Sequence, residues 1–208
     1  MRKEINFTET ELVRDSGVVT HYIQKRQSIY ADRYLGGTIP EAELLEILTN
    51  ATRAPTHKMT EPWRFVVLTD SQLLKYGRYM SSYYEHLYQD IPDAEKKLAK
   101  YSYLKDYPLK AACMVAIIFI KSRKINIPEW EELAAISCAV QNMAISATSF
   151  NIASYWATGG SAIDYVKTLG LAENEQSLGL FFMGYTDPSS LPVKKKRTPI
   201  DQKVTWRS

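Results

Sequence analysis

Residues 53–70 have the sequence RAPTHKMTEPWRFVVLTD, and the stretch divides into two parts of different character. Its first part, residues 53–62, is polar and contains Pro55 and Pro62, each of which favours an extended conformation in the residue before it. Its second part, Trp63–Leu68, is aromatic and β-branched, which is typical of a buried strand. The stretch therefore predicts the end of a helix, a rigid cationic loop and then a strand. A loop of this kind is suited to hold an anionic ligand.

The composition is that of an ordinary globular protein, and it excludes several functional classes. The chain has 208 residues, 45% hydrophobic and 24% charged, so residues 1–208 are expected to form a single domain. The net charge of +3, from 26 basic and 23 acidic residues, is too balanced for a nucleic-acid-binding surface. The 3 histidines and 2 cysteines show no metal-ligand spacing, so we expect no metal site.

The cysteines and the N-terminus indicate the compartment. Cys113 and Cys138 both lie in apolar runs, which predicts buried free thiols in a reducing environment. The N-terminal sequence MRKEINFTETEL carries charges where a signal peptide needs an apolar segment. The longest apolar run, residues 111–120, is too short to span a bilayer. We therefore expect a cytoplasmic protein without a membrane segment.

The central part of the chain contains the strongest periodic patterns. Residues 112–120 are almost continuously apolar, which predicts a central strand covered on both faces. Residues 129–150 keep helical spacing and predict the longest helix. The opposite side of that helix carries Ala, Ser and Cys, so we expect it at a subunit interface or, alternatively, inside the core. Residues 72–107 predict helices interrupted at Pro92, with tyrosines that pack or, alternatively, form a lid.

Local signals before the central strand predict where the first helices begin. Residues 1–20 are polar and are expected to form a frayed arm, followed by a helix over residues 18–29. Thr38 is expected near the N-cap of the next helix, with Pro40 in its first turn. Asp70 is expected to cap the helix that follows the first strand.

In the C-terminal half, strands are predicted at residues 152–156 and 175–185. A helix is predicted between them at residues 161–170. A basic run, residues 194–197, follows them. Helices and strands do not alternate regularly along the chain, which indicates an α+β fold.

Three separated segments share their order and spacing with the motifs of one known family. They are Arg26-Gln27-Ser28, then APTH at 54–57 with PWRF at 62–65, and finally AVQNM at 139–143 with the later pair Gly184-Tyr185. These segments resemble the Arg-Arg-Ser, Ala-Pro-Ser…Gln-Pro-Trp-Arg-Phe and C-terminal motifs of the nitroreductase family of flavoproteins. The greatest similarity is to the small bacterial NAD(P)H nitroreductases, which carry an Ala-Pro-Asp-His variant of the loop.

The resemblance implies a fold, a cofactor and an assembly. The family fold is an α/β sandwich in which helices flank a central, mainly antiparallel sheet. The family forms homodimers that bury long central helices, and each of two FMN sites at the subunit interface is built from both subunits. FMN is thus the expected cofactor, with NADH or NADPH as electron donor.

The resemblance also implies which residues bind the FMN phosphate. Arg26, Gln27 and Ser28 correspond to the phosphate site, for which cationic and hydroxyl donors are chemically suited. Lys195 and Arg197 of the tail correspond to a late basic residue with the same role. The alternative for the tail is a solvated run of charges.

Two further groups are expected, by the same resemblance, near the flavin ring. Arg53 and His57 correspond to positions that contact FMN in the small branch, where a donor near the N1–O2 edge favours the anionic reduced flavin. Trp156, Ala157 and Thr158 correspond to a segment that lines the ring edge. The alternatives are a loop hydrogen bond for His57 and core packing for Trp156.

The expected activity follows from the cofactor, and two departures from the family pattern leave its substrate open. Tyr30 stands where many relatives have a basic residue, and Met59 where many have asparagine. No side chain is expected to act as a general acid or base, because flavin carries the hydride chemistry. We expect ping-pong transfer of hydride to nitroaromatics, quinones or similar small acceptors. The alternatives are another reduction, such as dehalogenation or enoate reduction, and a non-catalytic flavin-binding protein.

Overall fold

The computed structural model describes residues 9–85, 88–122, 126–187, 189 and 196–207. Within these ranges the helices are α1 (Glu9–Lys25), α2 (Glu41–Ala51), α3 (Ser71–Tyr83), α4 (Ala94–Asp106), α5 (Glu129–Ser149) and α6 (Gly160–Lys167). The strands are β1 (Trp63–Leu68), β2 (Cys113–Ile120), β3 (Ala153–Ala157) and β4 (Glu175–Gly184). Short 3₁₀ turns occur at Ala31–Arg33, His57–Met59, Tyr107–Lys110 and Ile200–Gln202.

The strands form one sheet in the order β1-β2-β4-β3, and each neighbouring pair is antiparallel. The register between β2 and β4 shifts between Ala116 and Ile118. Gly179, which lies in β4 beside this irregularity, has φ +95°, and a Cβ at this position would come within 2.2 Å of the Ala157 carbonyl oxygen. Glycine therefore permits β3 to approach β4 closely at this point. The order also leaves one edge of β3 without a partner strand of the sheet.

Side chains from the two faces of β2 enter two separate hydrophobic cores. One core contains Val115, Ile117 and Phe119, which pack with residues of α2 and α5. The other core contains the alternate residues of β2, which pack with residues of α3, α4 and α6. Alternation of this kind is what a strand covered on both faces requires. The result is a sandwich of three layers, with the sheet between two layers of helices.

The structure confirms the fold class and its main elements. β2 corresponds to the strand predicted over residues 112–120, and α5 to the helix predicted over residues 129–150. The helical segment predicted over residues 72–107 is present as α3 and α4, with Pro92 between them. The helices and strands with the longest periodic patterns were thus the ones that the sequence specified best.

Several predictions about helix ends are wrong. α1 already begins at Glu9, inside the stretch expected to be a frayed arm. The N-cap of α2 is Pro40 rather than Thr38, because the Pro40 carbonyl accepts the Leu44 N–H at 3.0 Å. The predicted position of Asp70 is confirmed, because it is the N-cap of α3, but it has φ +49° and its side chain makes no capping hydrogen bond.

The two cysteines differ in environment, contrary to the prediction that both are buried. Cys113 is buried in β2, and desolvation raises the pKa of its thiol to about 12. Cys138 is exposed, because it lies on the side of α5 that faces away from the sheet. Both thiols are free. Among the described residues, no helix has the length and apolar character needed to cross a membrane.

Candidate functional site

A cleft of about 180 Å³ lies between the chain after α1, the middle of α5 and strand β3. The chain after α1 contributes Arg26 and Ser28, and α5 contributes Gln141. β3 contributes Ser154 and Trp156. The rest of the lining is mainly apolar or aromatic: Ser137, Val140, Ala144, Tyr155 and Phe181. The cleft therefore combines several hydrogen-bond donors with an apolar and aromatic wall.

The sheet itself positions Arg26 and Ser28. Ser28 forms a parallel bridge with Ser154, and the Ile29 N–H donates to the Ser154 carbonyl at 3.1 Å. Residues 26–29 thus run along the otherwise free edge of β3 in an extended conformation. An extended backbone presents successive side chains on opposite sides.

This alternation separates Gln27 from its two neighbours. Arg26 and Ser28 line the cleft, whereas Gln27 lines a second cavity of about 240 Å³ together with Lys25 and Asn151. In that second cavity the Lys25 ammonium donates to the Asn151 side chain at 2.9 Å. Of the three phosphate-site residues predicted in this segment, the structure brings Arg26 and Ser28 together and places Gln27 on the other side.

Arg26 supplies the positive charge of the cleft. Its side chain is half-buried, and among the described residues no carboxylate forms an ion pair with it. A guanidinium without a carboxylate partner, beside a hydroxyl and an amide, is a set of donors suited to an anionic group such as a phosphate.

The aromatic side chains of the cleft are held in fixed orientations. The Trp156 indole N–H donates to the Leu178 carbonyl at 2.8 Å. Tyr155 stacks on Phe182 with ring centroids 4.8 Å apart, and its hydroxyl lies 3.0 Å from that of Tyr107. Burial raises the pKa of Tyr155, so its hydroxyl stays protonated. The Tyr155 side chain thus lies in the core on the other face of the sheet, and Trp156 is the β3 aromatic side chain that is fixed on the cleft side.

The loop at residues 53–62 does not reach this cleft within one protomer. Arg53 and His57 are exposed, and neither lines the cleft. The His57 imidazole instead contacts the Glu131 carboxylate in the first turn of α5. Glu131 precedes Gln141 by ten residues in the sequence, a distance of about 15 Å along the helix axis.

The loop has an unusual conformation. Lys58, Met59 and Glu61 have φ values of 51°, 55° and 45°, a region that residues other than glycine seldom adopt. The hydroxyl oxygens of Thr56 and Thr60 are buried and have no hydrogen-bond partner among the described residues. Backbone strain and unpaired buried polar atoms are both frequent at functional sites.

The other residues expected at the site lie next to the cleft or outside it. Ala157 ends β3, and Thr158 follows it in the exposed turn before α6, so both continue the chain from Trp156. Arg197 is exposed and does not line the cleft. Lys195 lies outside the described residues.

Seven of the ten residues that line the cleft were not singled out from the sequence as site residues, and Gln141, Ser154 and Tyr155 are among them. Gln141 is a polar residue on an otherwise small and apolar side of α5, which is a signal that could have been used. Ser154 and Tyr155 could have been inferred only by placing residues 26–29 beside β3, because that contact joins segments more than 120 residues apart. No local pattern carries such information.

A family model described as Nitroreductase family matches residues 23–185. This chain belongs to the nitroreductase family. The matched residues of this nitroreductase-family protein include the whole cleft and the loop at residues 53–62. One relative is the Bacillus subtilis protein named "Putative NAD(P)H nitroreductase YfhC". The two sequences are 28% identical over 200 residues, which cover 95% of this chain and 98% of that protein.

Two solved structures of nitroreductase-like proteins share the fold. The nitroreductase-like family protein from Bacillus cereus has a TM-score of 0.72 and 23% identity, over 91% of this chain and 95% of that one. The nitroreductase with bound FMN from Bacteroides fragilis has a TM-score of 0.63 and 21% identity, over 91% and 98% of the two chains.

The residues of the cleft fit an FMN group. Arg26, Ser28 and Gln141 offer cationic, hydroxyl and amide donors for a phosphate and a polyol chain. Trp156, Phe181 and the aliphatic residues of α5 offer a surface for an apolar ring. The donor set and the aromatic wall are thus both present in one cavity.

Proposed function

We propose that this nitroreductase-family protein is an FMN-dependent oxidoreductase that takes hydride from NADH or NADPH and passes it to a small acceptor, such as a nitroaromatic or a quinone. The observation that carries the proposal is the cleft beside β3, where cationic, hydroxyl and amide donors share one cavity with the fixed indole ring of Trp156. The NAD(P)H in the name of the B. subtilis relative and the FMN bound to the B. fragilis neighbour support it.

Each group of cleft residues has a distinct role in this proposal. Arg26 and Ser28 would hold the phosphate, and Gln141 would hydrogen-bond a polar part of the cofactor. Bound FMN supplies the capacity to accept and donate hydride. Val140, Ala144 and Phe181 would exclude water from the ring, which strengthens the hydrogen bonds made at its edge.

The proposal includes a homodimer in which the second subunit supplies Arg53 and His57. These residues do not line the cleft of their own protomer, although the resemblance assigns them to the flavin. Large apolar side chains lie exposed beside them: Met59 is 75% exposed in the loop, and Trp130 is 68% exposed in the first turn of α5. Exposed apolar groups next to a functional loop are typical of a surface that another chain covers.

A visible absorption spectrum of the purified protein, incubated with FMN, tests the proposal. The spectrum is recorded without oxygen, before and after addition of NADH or NADPH. We expect bound-flavin bands that bleach on reduction and return when a quinone is added.

The other outcomes of this experiment also decide between functions. Bands that persist with both nucleotides would mean a flavin-binding protein without this activity. A protein that gains no bands would contradict the proposal. If the bands bleach but no quinone or nitroaromatic restores them, a screen with halogenated and enoate acceptors identifies the oxidising substrate class.

A further inference from the structure

A chain of hydroxyl groups connects α3 to the first turn of α6. The Tyr76 hydroxyl lies 3.2 Å from the Ser161 hydroxyl, and Ser161 donates to the Tyr84 hydroxyl at 3.3 Å. Either hydroxyl of the Tyr76–Ser161 pair could be the donor. Tyr76 and Ser161 are buried, with 2% and 3% exposure, whereas Tyr84 is half-buried. The hydroxyl chain therefore links the core to Tyr84.

A second tyrosine touches the same turn. A Cβ built on Gly160 would lie 2.3 Å from the Tyr83 hydroxyl, and one built on Gly159 would lie 3.8 Å from the Tyr84 hydroxyl. The rings of Tyr83 and Tyr84 pack edge to face, with centroids 5.0 Å apart. Both phenols thus lie directly against the backbone of the turn, and Gly160 leaves no room for a larger residue unless Tyr83 moves.

This turn, residues 158–160, is the direct continuation of the cleft wall. Trp156 lines the cleft, and Thr158 follows it by two residues. The family resemblance assigns residues 156–158 to the edge of the flavin ring, and backbone N–H groups there would stabilise charge that develops on the ring only if their geometry is fixed in advance. The turn is exposed and contains two glycines, so its own residues do little to fix its conformation. Contacts from neighbouring side chains must therefore fix it.

We propose that Tyr83 and Tyr84 are positioning residues that hold the 158–160 turn, and that through the turn they raise the reduction potential of the flavin. The inference rests on the proposed function, because it needs FMN in the cleft. Tyr84 acts through the bond from Ser161, and Tyr83 acts through its contact with Gly160. A loosened turn would offer weaker hydrogen bonds to the reduced flavin, so the potential would become more negative.

The first test removes one hydroxyl and keeps the ring. Tyr84→Phe, loaded with FMN, is expected to retain the cofactor, to have a more negative reduction potential, and to reduce its flavin about five-fold more slowly with NADPH, since a net hydrogen bond corresponds to about that factor. Tyr88→Phe is the matched control, because the Tyr88 ring lies 6.2 Å from that of Tyr84 and no hydrogen bond joins its hydroxyl to Ser161. The control is expected to behave as wild type.

An unchanged potential in FMN-loaded Tyr84→Phe would overturn the positioning role and leave the proposed function intact. A wild-type protein that binds no FMN would overturn both. A merely structural role of Tyr84 would lower the thermal stability of the variant without changing its potential, so the potential separates the two.

A compensation experiment tests Tyr83 independently. Gly160→Ala is expected to make the potential more negative, because the added methyl group displaces Tyr83 and with it the turn. Adding Tyr83→Phe removes the clashing hydroxyl, after which the nearest ring atom would lie 3.2 Å from the methyl group. We expect the double variant to recover most of the wild-type potential, and a double variant that resembles Gly160→Ala would contradict the role of Tyr83.

Discussion

Residues 26–29 and the loop at residues 53–62 both carry cationic groups expected at the flavin, but they are positioned in different ways. The first segment is hydrogen-bonded to the edge strand β3, so the sheet fixes which side chains enter the cleft. The loop has three residues with positive φ and two buried hydroxyls without a partner among the described residues. One half of the candidate site is therefore built into the fold of a single chain. We propose that the second subunit completes the other half.

Arg26→Ala is expected to have the largest effect on the sheet-held half. It removes a charge-assisted contact worth roughly 1.5–3 kcal/mol, so FMN binding should weaken by about 10- to 100-fold. The measurement is a fluorescence titration of FMN into the apoprotein. Lys25→Ala is the matched control, because the neighbouring Lys25 lines the other cavity and bonds Asn151. Equal FMN affinity in Arg26→Ala and wild type would mean that the phosphate binds elsewhere.

Arg53→Ala is expected to have the next largest effect, on the loop half. Since Arg53 is exposed, its contact with the cofactor should contribute less than that of Arg26, so FMN affinity should fall by about ten-fold. The difference from wild type should shrink as the salt concentration rises. Arg78→Ala, at an exposed arginine of α3, is the control. An Arg53→Ala protein with wild-type affinity at low salt would remove the loop from the site.

Glu175→Gln is expected to destabilise the sheet beside the loop by about 1 kcal/mol at pH 7. The Glu175 carboxylate accepts two hydrogen bonds from Arg64, at 2.6 and 2.7 Å, and these bonds hold its pKa below the ordinary glutamate value. A lowered pKa contributes stability above the pKa of the unfolded state, and that stability is lost as the pH falls through the folded-state pKa. Urea unfolding should therefore show a difference from wild type at pH 7 that shrinks as the pH is lowered through the pKa of the folded state.

Asp164→Asn is the control for this stability experiment, because the Asp164–Lys167 pair lies one turn apart on α6 and is exposed. It is expected to change stability by less than about 0.5 kcal/mol. A Glu175→Gln difference that stays constant across this pH range would show that the ion pair is not its cause.

Lys58→Gly is expected to give the smallest effect and the opposite sign. Glycine adopts the φ of +51° without strain, so the substitution relieves strain in the folded state. This gain should exceed the cost of a more flexible unfolded chain and stabilise the protein by up to about 1 kcal/mol. Lys75→Gly, within helix α3, is expected to destabilise by about 1 kcal/mol. If both variants destabilise equally in urea unfolding, the loop is not strained in the apoprotein.

The same contrast explains which features the sequence predicted and which it did not. β2 and α5 were predicted with nearly correct ends, because their apolar patterns extend over many residues and are read directly. Thr38 was assigned near the N-cap of α2 by residue type, but Pro40 is the N-cap; Asp70 is the N-cap of α3, but its side chain makes no capping hydrogen bond. Local preference failed where several neighbouring groups could satisfy the same donor.

The candidate site divides in a similar way. The motif that contains Arg26 and Ser28 was recognisable, whereas the separation of Gln27 from them depends on the pairing with β3. The contact between His57 and Glu131 joins residues 74 positions apart, and no local pattern indicates it. Contacts between distant segments are decided by the fold, so local sequence patterns do not show how the residues of the candidate site are arranged.

A mixed dimer of Arg26→Ala and Arg53→Ala subunits tests most directly whether the two regions meet across subunits. The subunits carry different affinity tags, so the mixed species can be isolated and its FMN content measured. If each site takes Arg26 from one subunit and Arg53 from the other, a mixed dimer contains one intact site and one doubly altered site. We predict one tightly bound FMN per mixed dimer, against none in either parent variant. A mixed dimer that binds no FMN tightly, or subunits that do not associate, would contradict the shared site.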